Sequence, residues 1–317
     1  MENIKLFEAF AGIGTQRMAL RNIGVDFEIV GISEIDKYAI KSYEAIHGST
    51  KNFGDITKIN PECLPDFDLF TYSFPCQDLS TAGKQQGLVK GKTRSGLLYE
   101  CEKIIEVKLP KYLLLENVKA LVGKKFKPQF DKWLKYLESL GYTNYWQVLN
   151  SKDYGIPQNR ERVFVISILN DKEKTYTFPQ TQILNICLKD LLEDQVEDKY
   201  YINKKWHFTQ PDEQKHDSNE IAQINGIKYK ATRSIGDINK LCRTIDTMSG
   251  GQREPKVLVG NRVRKLTPKE CWRLMGCSDE DFEKAQQVNS NSQLYKQAGN
   301  AIVVNVLEEI FKNLFKD

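Results

Sequence analysis

Apolar and polar positions alternate in short bursts through the first half of the chain, with stretches of helical period between them, and this predicts an α/β sheet. Residues 5–10, 27–33, 68–73 and 112–116 have the length and composition of strands. Residues 16–23 and 36–47 have helical spacing, the second opened by Asp36 as an N-cap. A longer helix over 130–140 sets Phe130, Trp133, Leu134, Leu137 and Leu140 on one face and stops at Gly141. Residues 145–149 and 163–169 follow as a strand pair. Past Asn170 the pattern fades. From 171 to about 261 the chain is polar, rich in turn formers and weakly periodic, so a smaller second domain is expected there. Helical spacing returns at 268–274 and 303–315.

Composition narrows the chemistry. The chain has 317 residues, 40% of them hydrophobic, enough for an ordinary core. Its apolar runs, such as 112–115, fall far short of the roughly 18 residues a membrane span needs. Met1-Glu2-Asn3-Ile4-Lys5 lacks the basic and apolar regions of a secretory signal, so a cytoplasmic location is expected. Seven Cys without a Cys-x-x-Cys pair argue against a disulfide framework and a structural zinc site. The three His (His47, His207 and His216) have no metal-ligand spacing, which disfavours zinc hydrolases and His-dependent triads, and no metal is expected. A net charge of +4 is compatible with a polyanionic partner without naming one. The charge is uneven: residues 228–264 hold nine basic and three acidic side chains, which fits a solvated face as well as a polyanion-binding one.

Phe10-Ala11-Gly12-Ile13-Gly14 follows the first strand and opens a helix. Its two glycines allow a sharp turn and a close approach of backbone to ligand at the strand's carboxyl end. Arg17 stands where the third glycine of a dinucleotide fingerprint would be, which weighs against a pyrophosphate. Glu34 ends the second strand about 20 residues on, placed to accept hydrogen bonds from ribose hydroxyls. Gly54-Asp55-Ile56 offers a carboxylate to an adenine amino group. The set suits a nucleoside without a diphosphate, so S-adenosylmethionine fits better than NAD.

Ser73-Phe74-Pro75-Cys76-Gln77 places Cys76 just past a strand, at the edge where open α/β sheets hold their ligands. Glu116-Asn117-Val118 ends the next strand, and Gln158-Asn159-Arg160-Glu161-Arg162 leads into another. A Cys, a Glu and an Arg at three strand ends supply a nucleophile, an acid-base group and a cationic donor. Residues 84–94 hold four basic residues, no acid and two glycines, a flexible cationic loop suited to a phosphate backbone.

These blocks, in this order, resemble the DNA (cytosine-5) methyltransferase family. To those quoted above the chain adds Arg264-Lys265-Leu266-Thr267-Pro268-x-Glu270-x-x-Arg273-Leu274-Met275-Gly276 and Gln297-x-Gly299-Asn300-Ala301. The resemblance implies an α/β, S-adenosylmethionine-dependent methyltransferase fold: a mixed sheet with helices on both faces, plus a smaller irregular target-recognition domain. It implies a catalytic and cofactor-binding domain over 1–170, target recognition over 171–262, and over 263–317 a hinge and a C-terminal return that completes the catalytic domain. Carried over by position, Phe10, Gly12, Gly14, Glu34, Ile35, Asp55, Ile56, Leu98, Asn300 and Ala301 would line S-adenosylmethionine, which leaves as S-adenosylhomocysteine. Cys76 would be the nucleophile, with Glu116, Arg160 and Arg162 holding the base.

The implied reaction methylates C5 of a flipped-out cytosine in a specific duplex DNA sequence, through a covalent bond from Cys76 to C6. The implied partners are duplex DNA and a cognate restriction endonuclease, with the chain acting as a monomer of the bacterial or phage restriction-modification type. Transfer RNA, methylated by one branch of the family, stays open as an alternative substrate. Ser80 and Thr81 are candidates for filling the place of the flipped base, a role left open because Ala82 follows them. Arg243-Thr244-Ile245 and Ser249-Gly250-Gly251-Gln252-Arg253 are candidate groove-contacting turns, since Arg and Gln read guanine and adenine edges.

Overall fold

The structure, a computed structural model, describes residues 3–79, 86–169, 175–208, 219–228, 230–248 and 252–316. Ser80, Thr81, Ala82, Lys84, His216, Ser249, Gly250 and Gly251 lie outside the described residues. In chain order the first elements are β1 (Ile4–Ala9), α1 (Thr15–Ile23), β2 (Phe27–Ser33), α2 (Lys37–His47), β3 (Leu69–Tyr72), α3 (Leu98–Lys108), β4 (Tyr112–Val118), α4 (Lys127–Ser139) and β5 (Tyr142–Asn150). There follow β6 (Gln158–Asn159), β7 (Glu161–Leu169), β8 (Trp206–Phe208), β9 (Glu220–Ile224), α5 (Lys230–Arg233), β10 (Ser234–Gly236), β11 (Cys242–Arg243), β12 (Lys256–Val259) and β13 (Arg262–Lys265). The last are α6 (Pro268–Arg273), α7 (Asp279–Gln286), α8 (Asn291–Asn300) and α9 (Val304–Phe315). They fall into two compact units, residues 1–149, 161–180 and 307–317 in one, residues 150–160 and 181–306 in the other.

The first unit is built on a six-stranded sheet of order β2-β1-β3-β4-β7-β5. β2, β1, β3 and β4 run parallel, and β7 lies antiparallel against β4. Strands covered on both faces need near-continuous apolar runs, and these have them: all four residues of β3 are buried, as are Leu113, Leu114 and Leu115 of β4. On α4 the expected stripe of Phe130, Trp133, Leu134 and Leu137 is buried in the same core. Asp36 caps α2, its carboxylate accepting from the Tyr38 and Ala39 N–H groups. The far end of the chain completes this unit. α9 buries Leu307, Ile310, Phe311 and Leu314, and Phe315 meets the Tyr112 ring edge-on at 5.3 Å.

This topology positions the site. Four parallel strands bring their carboxyl ends to one edge of the sheet, and antiparallel β7 starts at that same edge.

The second unit carries a five-stranded sheet of order β13-β12-β10-β9-β8 over a small core of Ala222, Ile224, Ile235 and Val263. β12 and β13 form a hairpin that turns at Gly260, held in the left-handed region at φ 60°. Residues 150–160 and 263–306, expected on the catalytic side, cluster with this unit. The cause is local pairing: β6 runs parallel to β11, and the Gln158 amide donates to the Leu274 carbonyl and accepts from the Ile245 N–H.

Candidate active site

The turn after β1 is backbone-specified. Phe10, Gly12 and Gly14 all have positive φ, at 55°, 58° and 75°. That conformation is ordinary for glycine and uncommon for phenylalanine, and it persists where neighbouring bonds enforce it. The bonds are on hand: the Phe10 N–H donates to the Ser33 carbonyl at 2.8 Å, and the Gly12 N–H donates to Glu34 Oε2 at 2.9 Å. The other Glu34 oxygen accepts from the Ile35 and Asp36 N–H groups, each at 2.8 Å. Glu34 thus ties the glycine turn to the end of β2 and keeps lone pairs for a further donor. A side chain on Gly14 would meet His47 Nε2 and Tyr43 Cε2, each at 2.6 Å, whereas the Cβ positions of Gly12 and Gly54 open onto free space.

Near that turn, Asp55 accepts from the Thr57 N–H and hydroxyl, which hold its carboxyl below the usual carboxylate range. It therefore stands as an acceptor for an amino group. Ile35 is 72% exposed, an apolar side chain with no cover. Ile56 and Leu98 are instead buried in the first unit's core. Glycines with open Cβ positions at 12 and 54, two carboxylates with acceptor capacity and an exposed aliphatic side chain suit a nucleoside bearing a short charged tail.

The turn that carries Cys76 is pinned from three directions. The Asn117 side-chain amide donates to the Phe74 carbonyl at 2.9 Å, and the Ser95 hydroxyl donates to the Pro75 carbonyl at 2.6 Å. Asp78 accepts from the Arg94 and Ser95 N–H groups. Sequence reasoning missed these three residues as parts of the site. Only the Asn of Glu116-Asn117-Val118 left a signal, through its place beside the glutamate. Cys76 itself is half-buried. Burial pushes the thiols of Cys101 and Cys271 well up and that of Cys242 to about 12, which makes them poor nucleophiles. Of the three cysteines that reach solvent (Cys63, Cys76 and Cys187), only Cys76 follows a parallel strand at the ligand-binding edge.

Glu116 and Arg162 meet by register. Val118 of β4 lies opposite Arg162 of β7, so Glu116, two residues back, shares a face with Arg162. Arg162 Nε stands 3.2 Å from Glu116 Oε1, with both side chains mostly shielded from water. Arg160 is used differently. Only 3% exposed, it donates to the carbonyls of Ile245, Gly299 and Ala301, all in the second unit with it. Its guanidinium fixes the end of α8, where Asn300 and Ala301 lie. The described part of the cationic loop is tied down by bonds within itself and to flanking residues. Thr93 bonds Gly87 and Val89, Lys90 pairs with Glu102, and Arg94 Nη1 donates to Gln77 Oε1.

Among the described residues, no helix is long and apolar enough to cross a membrane. Comparison with known proteins completes the picture. The C-5 cytosine-specific DNA methylase family matches residues 4–316. The chain is 45% identical to the Type II methyltransferase M2.ScrFI of Lactococcus lactis subsp. cremoris, over 99% of each. It is 33% identical to the Orphan methyltransferase M.SPBetaI of Bacillus phage SPbeta, over 99% of this chain and 98% of that protein. The crystal structure of S. pombe Dnmt2 methyltransferase shares the fold, with a TM-score of 0.75 at 19% identity over 99% of both chains. A family match over nearly the whole length and a relative 45% identical over 99% of both chains leave one conclusion: the chain belongs to the C-5 cytosine-specific DNA methylases and is a DNA cytosine-5 methyltransferase that uses S-adenosylmethionine.

Proposed function

We propose that the chain methylates a cytosine turned out of a DNA duplex, through a transient covalent bond from Cys76 to C6 of the base. The observation that carries this reading is the pinned Cys76 turn after β3, on the edge of the sheet where Glu116 near the end of β4 pairs with Arg162 near the start of β7. Cytosine C5 is too electron-poor to attack an alkyl sulfonium unaided. Addition of Cys76 Sγ to C6 pushes an electron pair toward C5, and Glu116 at N3 stabilises the charge that this displaces onto the ring. Arg162 holds the Glu116 carboxyl in place and offers donors to the exocyclic oxygen. S-adenosylmethionine, when bound, supplies an electrophilic methyl group; Phe10, Gly12, Gly14, Glu34, Ile35 and Asp55 are the first-unit residues that fit it. Once C5 carries the methyl group, loss of the C5 proton and expulsion of Cys76 Sγ restore the ring and the free thiolate. C6 is shielded within a stacked duplex, so the base must leave the stack, at a cost of about a few kcal/mol.

The test is trapping. A duplex carrying 5-fluorocytosine has no C5 proton to lose, so elimination is blocked. With S-adenosylmethionine the expected product is a denaturant-stable adduct whose digest places the link at Cys76. Its absence, or a link elsewhere, would overturn the covalent route, and Cys76→Ala is expected to form no adduct. Competition between duplex DNA and transfer RNA for methyl incorporation decides the substrate, with duplex DNA expected to win. M2.ScrFI is named a type II enzyme and M.SPBetaI an orphan. The higher identity to the former favours a chain that protects DNA from a cognate endonuclease.

A further inference from the structure

We propose that Gln252 and Arg253 read base edges of the DNA target, and that Lys256, with Arg243, is the positioning residue that presents them; this rests on the reading of the chain as an enzyme acting on duplex DNA. All four residues belong to the second unit.

Three successive backbone carbonyls are held by two cations. Lys256 Nζ donates to the Gln252 carbonyl at 2.6 Å and to the Glu254 carbonyl at 3.1 Å. Arg243 Nη2 donates to the Arg253 carbonyl between them at 2.5 Å. Lys256 opens β12 and is only 2% exposed, an unusual place for an ammonium. A buried charge is retained where its donors are used, and here they are used on the turn. Glu254, the nearest carboxylate in sequence, pairs with Lys265 at 3.1 Å. Burial lowers the Lys256 ammonium to about 8, so it still carries its proton at neutral pH.

The side chains of the turn are arranged the opposite way. Gln252 and Arg253 are exposed while their carbonyls are tied down, and neither side chain is hydrogen-bonded or ion-paired to another described residue. Gln252 sits in the left-handed region at φ 56°, a conformation a non-glycine residue keeps only where its surroundings hold it. The lysine bond to its carbonyl does so. Such rigidity is wasted on a residue that merely attracts phosphates, because charge attraction needs no fixed orientation. It matters for planar groups that must meet a base edge with two bonds at once. Gln pairs in this way with adenine N6 and N7, and Arg with guanine O6 and N7. The basic surroundings over 228–264 supply the orientation-independent attraction.

The test uses the full-length protein and a plasmid library with randomised bases on both sides of a cytosine, read by bisulfite sequencing after methylation. The parent chain gives a set of preferred bases. Gln252→Ala and Arg253→Ala are each expected to flatten the preference at one position by about tenfold, with S-adenosylmethionine affinity unchanged. Lys256→Met is expected to flatten both positions while total methyl transfer to the library persists. A merely structural lysine would lower transfer to all sequences alike and leave the preferences intact. The two exposed alanine variants stand as tests should Lys256→Met fail to fold. Unchanged preferences in both alanine variants, or uniformly weaker methylation with Arg253→Ala, would overturn the inference. A parent chain that methylates no member of the library would overturn the duplex-DNA reading, and this inference with it.

Discussion

Glu8 is the least comfortable carboxyl in the first unit. It lies one residue before the end of β1 with no solvent exposure, accepts a 2.6 Å hydrogen bond from the Tyr43 hydroxyl, and leaves its second oxygen without a hydrogen bond. Burial raises its pKa from 4.5 to about 7, against the partial relief given by Tyr43 and Arg17. Below pH 4.5 the carboxyl is protonated whether the chain is folded or not, and its contribution is intact. As pH rises toward 7 the unfolded chain releases the proton first, so stability falls by on the order of 3 kcal/mol and does not return. Glu8→Gln removes this titration. Urea midpoints of variant and parent are expected to diverge between pH 4.5 and 7, the variant becoming the more stable; parallel profiles would contradict the assignment. At this scale the candidate site was legible in part: Glu116 and Arg162, both named from the sequence, are paired in the structure. Cys76, Glu116 and Glu34 stand out in the sequence because each follows or ends an apolar strand run. Ser95 does not, because its bond reaches 20 residues along the chain and leaves no local pattern, and Asn117, whose bond reaches 43 residues, shows only as a neighbour of Glu116. Arg160 and Arg162 look equivalent in sequence, yet Arg162 pairs with Glu116 while Arg160 is bonded to carbonyls of its own unit.

Elements were legible where burial is periodic. β1, β2, α1, α2 and α4 fall within three residues of their expected bounds. α3 escaped because it follows a glycine-rich loop without a side-chain cap and ends at Leu109, itself left-handed at φ 43°, rather than at a glycine. The second unit's strands are two to five residues long, too short for alternation to show. α6 is short too, yet its ends are well specified. Thr267 and Glu270 form a capping box, and both Glu270 oxygens also take the Arg264 guanidinium, at 2.8 and 2.7 Å. The pair is almost wholly buried, at 2% and 0% exposure. Glu270→Gln strands the Arg264 charge and is expected to destabilise the chain by about 3–5 kcal/mol, whereas Thr267→Ala should remove about 1 kcal/mol. Chemical denaturation checks both, and equal losses would show that the cap, not the ion pair, dominates.

On the scale of the whole molecule, the first unit is assembled from three separated segments, and its last helix arrives only after residues 181–306. Sequence patterning gave no sign that 150–160 changes sides, because a two-residue strand and a few buried amide bonds decide it. α9 is different. Its apolar stripe was plain, and it proves to be core: Tyr176 donates to the Ile310 carbonyl, Asn313 to the Thr177 carbonyl, and Asn22 to Glu308. Ending the chain after Val303 is expected to give insoluble protein, since the faces of Leu307, Ile310 and Phe311 and their partners lose each other. A soluble product melting like the parent would refute that dependence. The same arrangement sets a timetable for synthesis. At roughly 5–20 residues per second, a ribosome spends on the order of ten seconds on the intervening unit before the closing helix emerges. Through that interval the nascent sheet carries the apolar flank that Leu307, Ile310 and Phe311 will cover, so the first unit can close its core only once the second has been made.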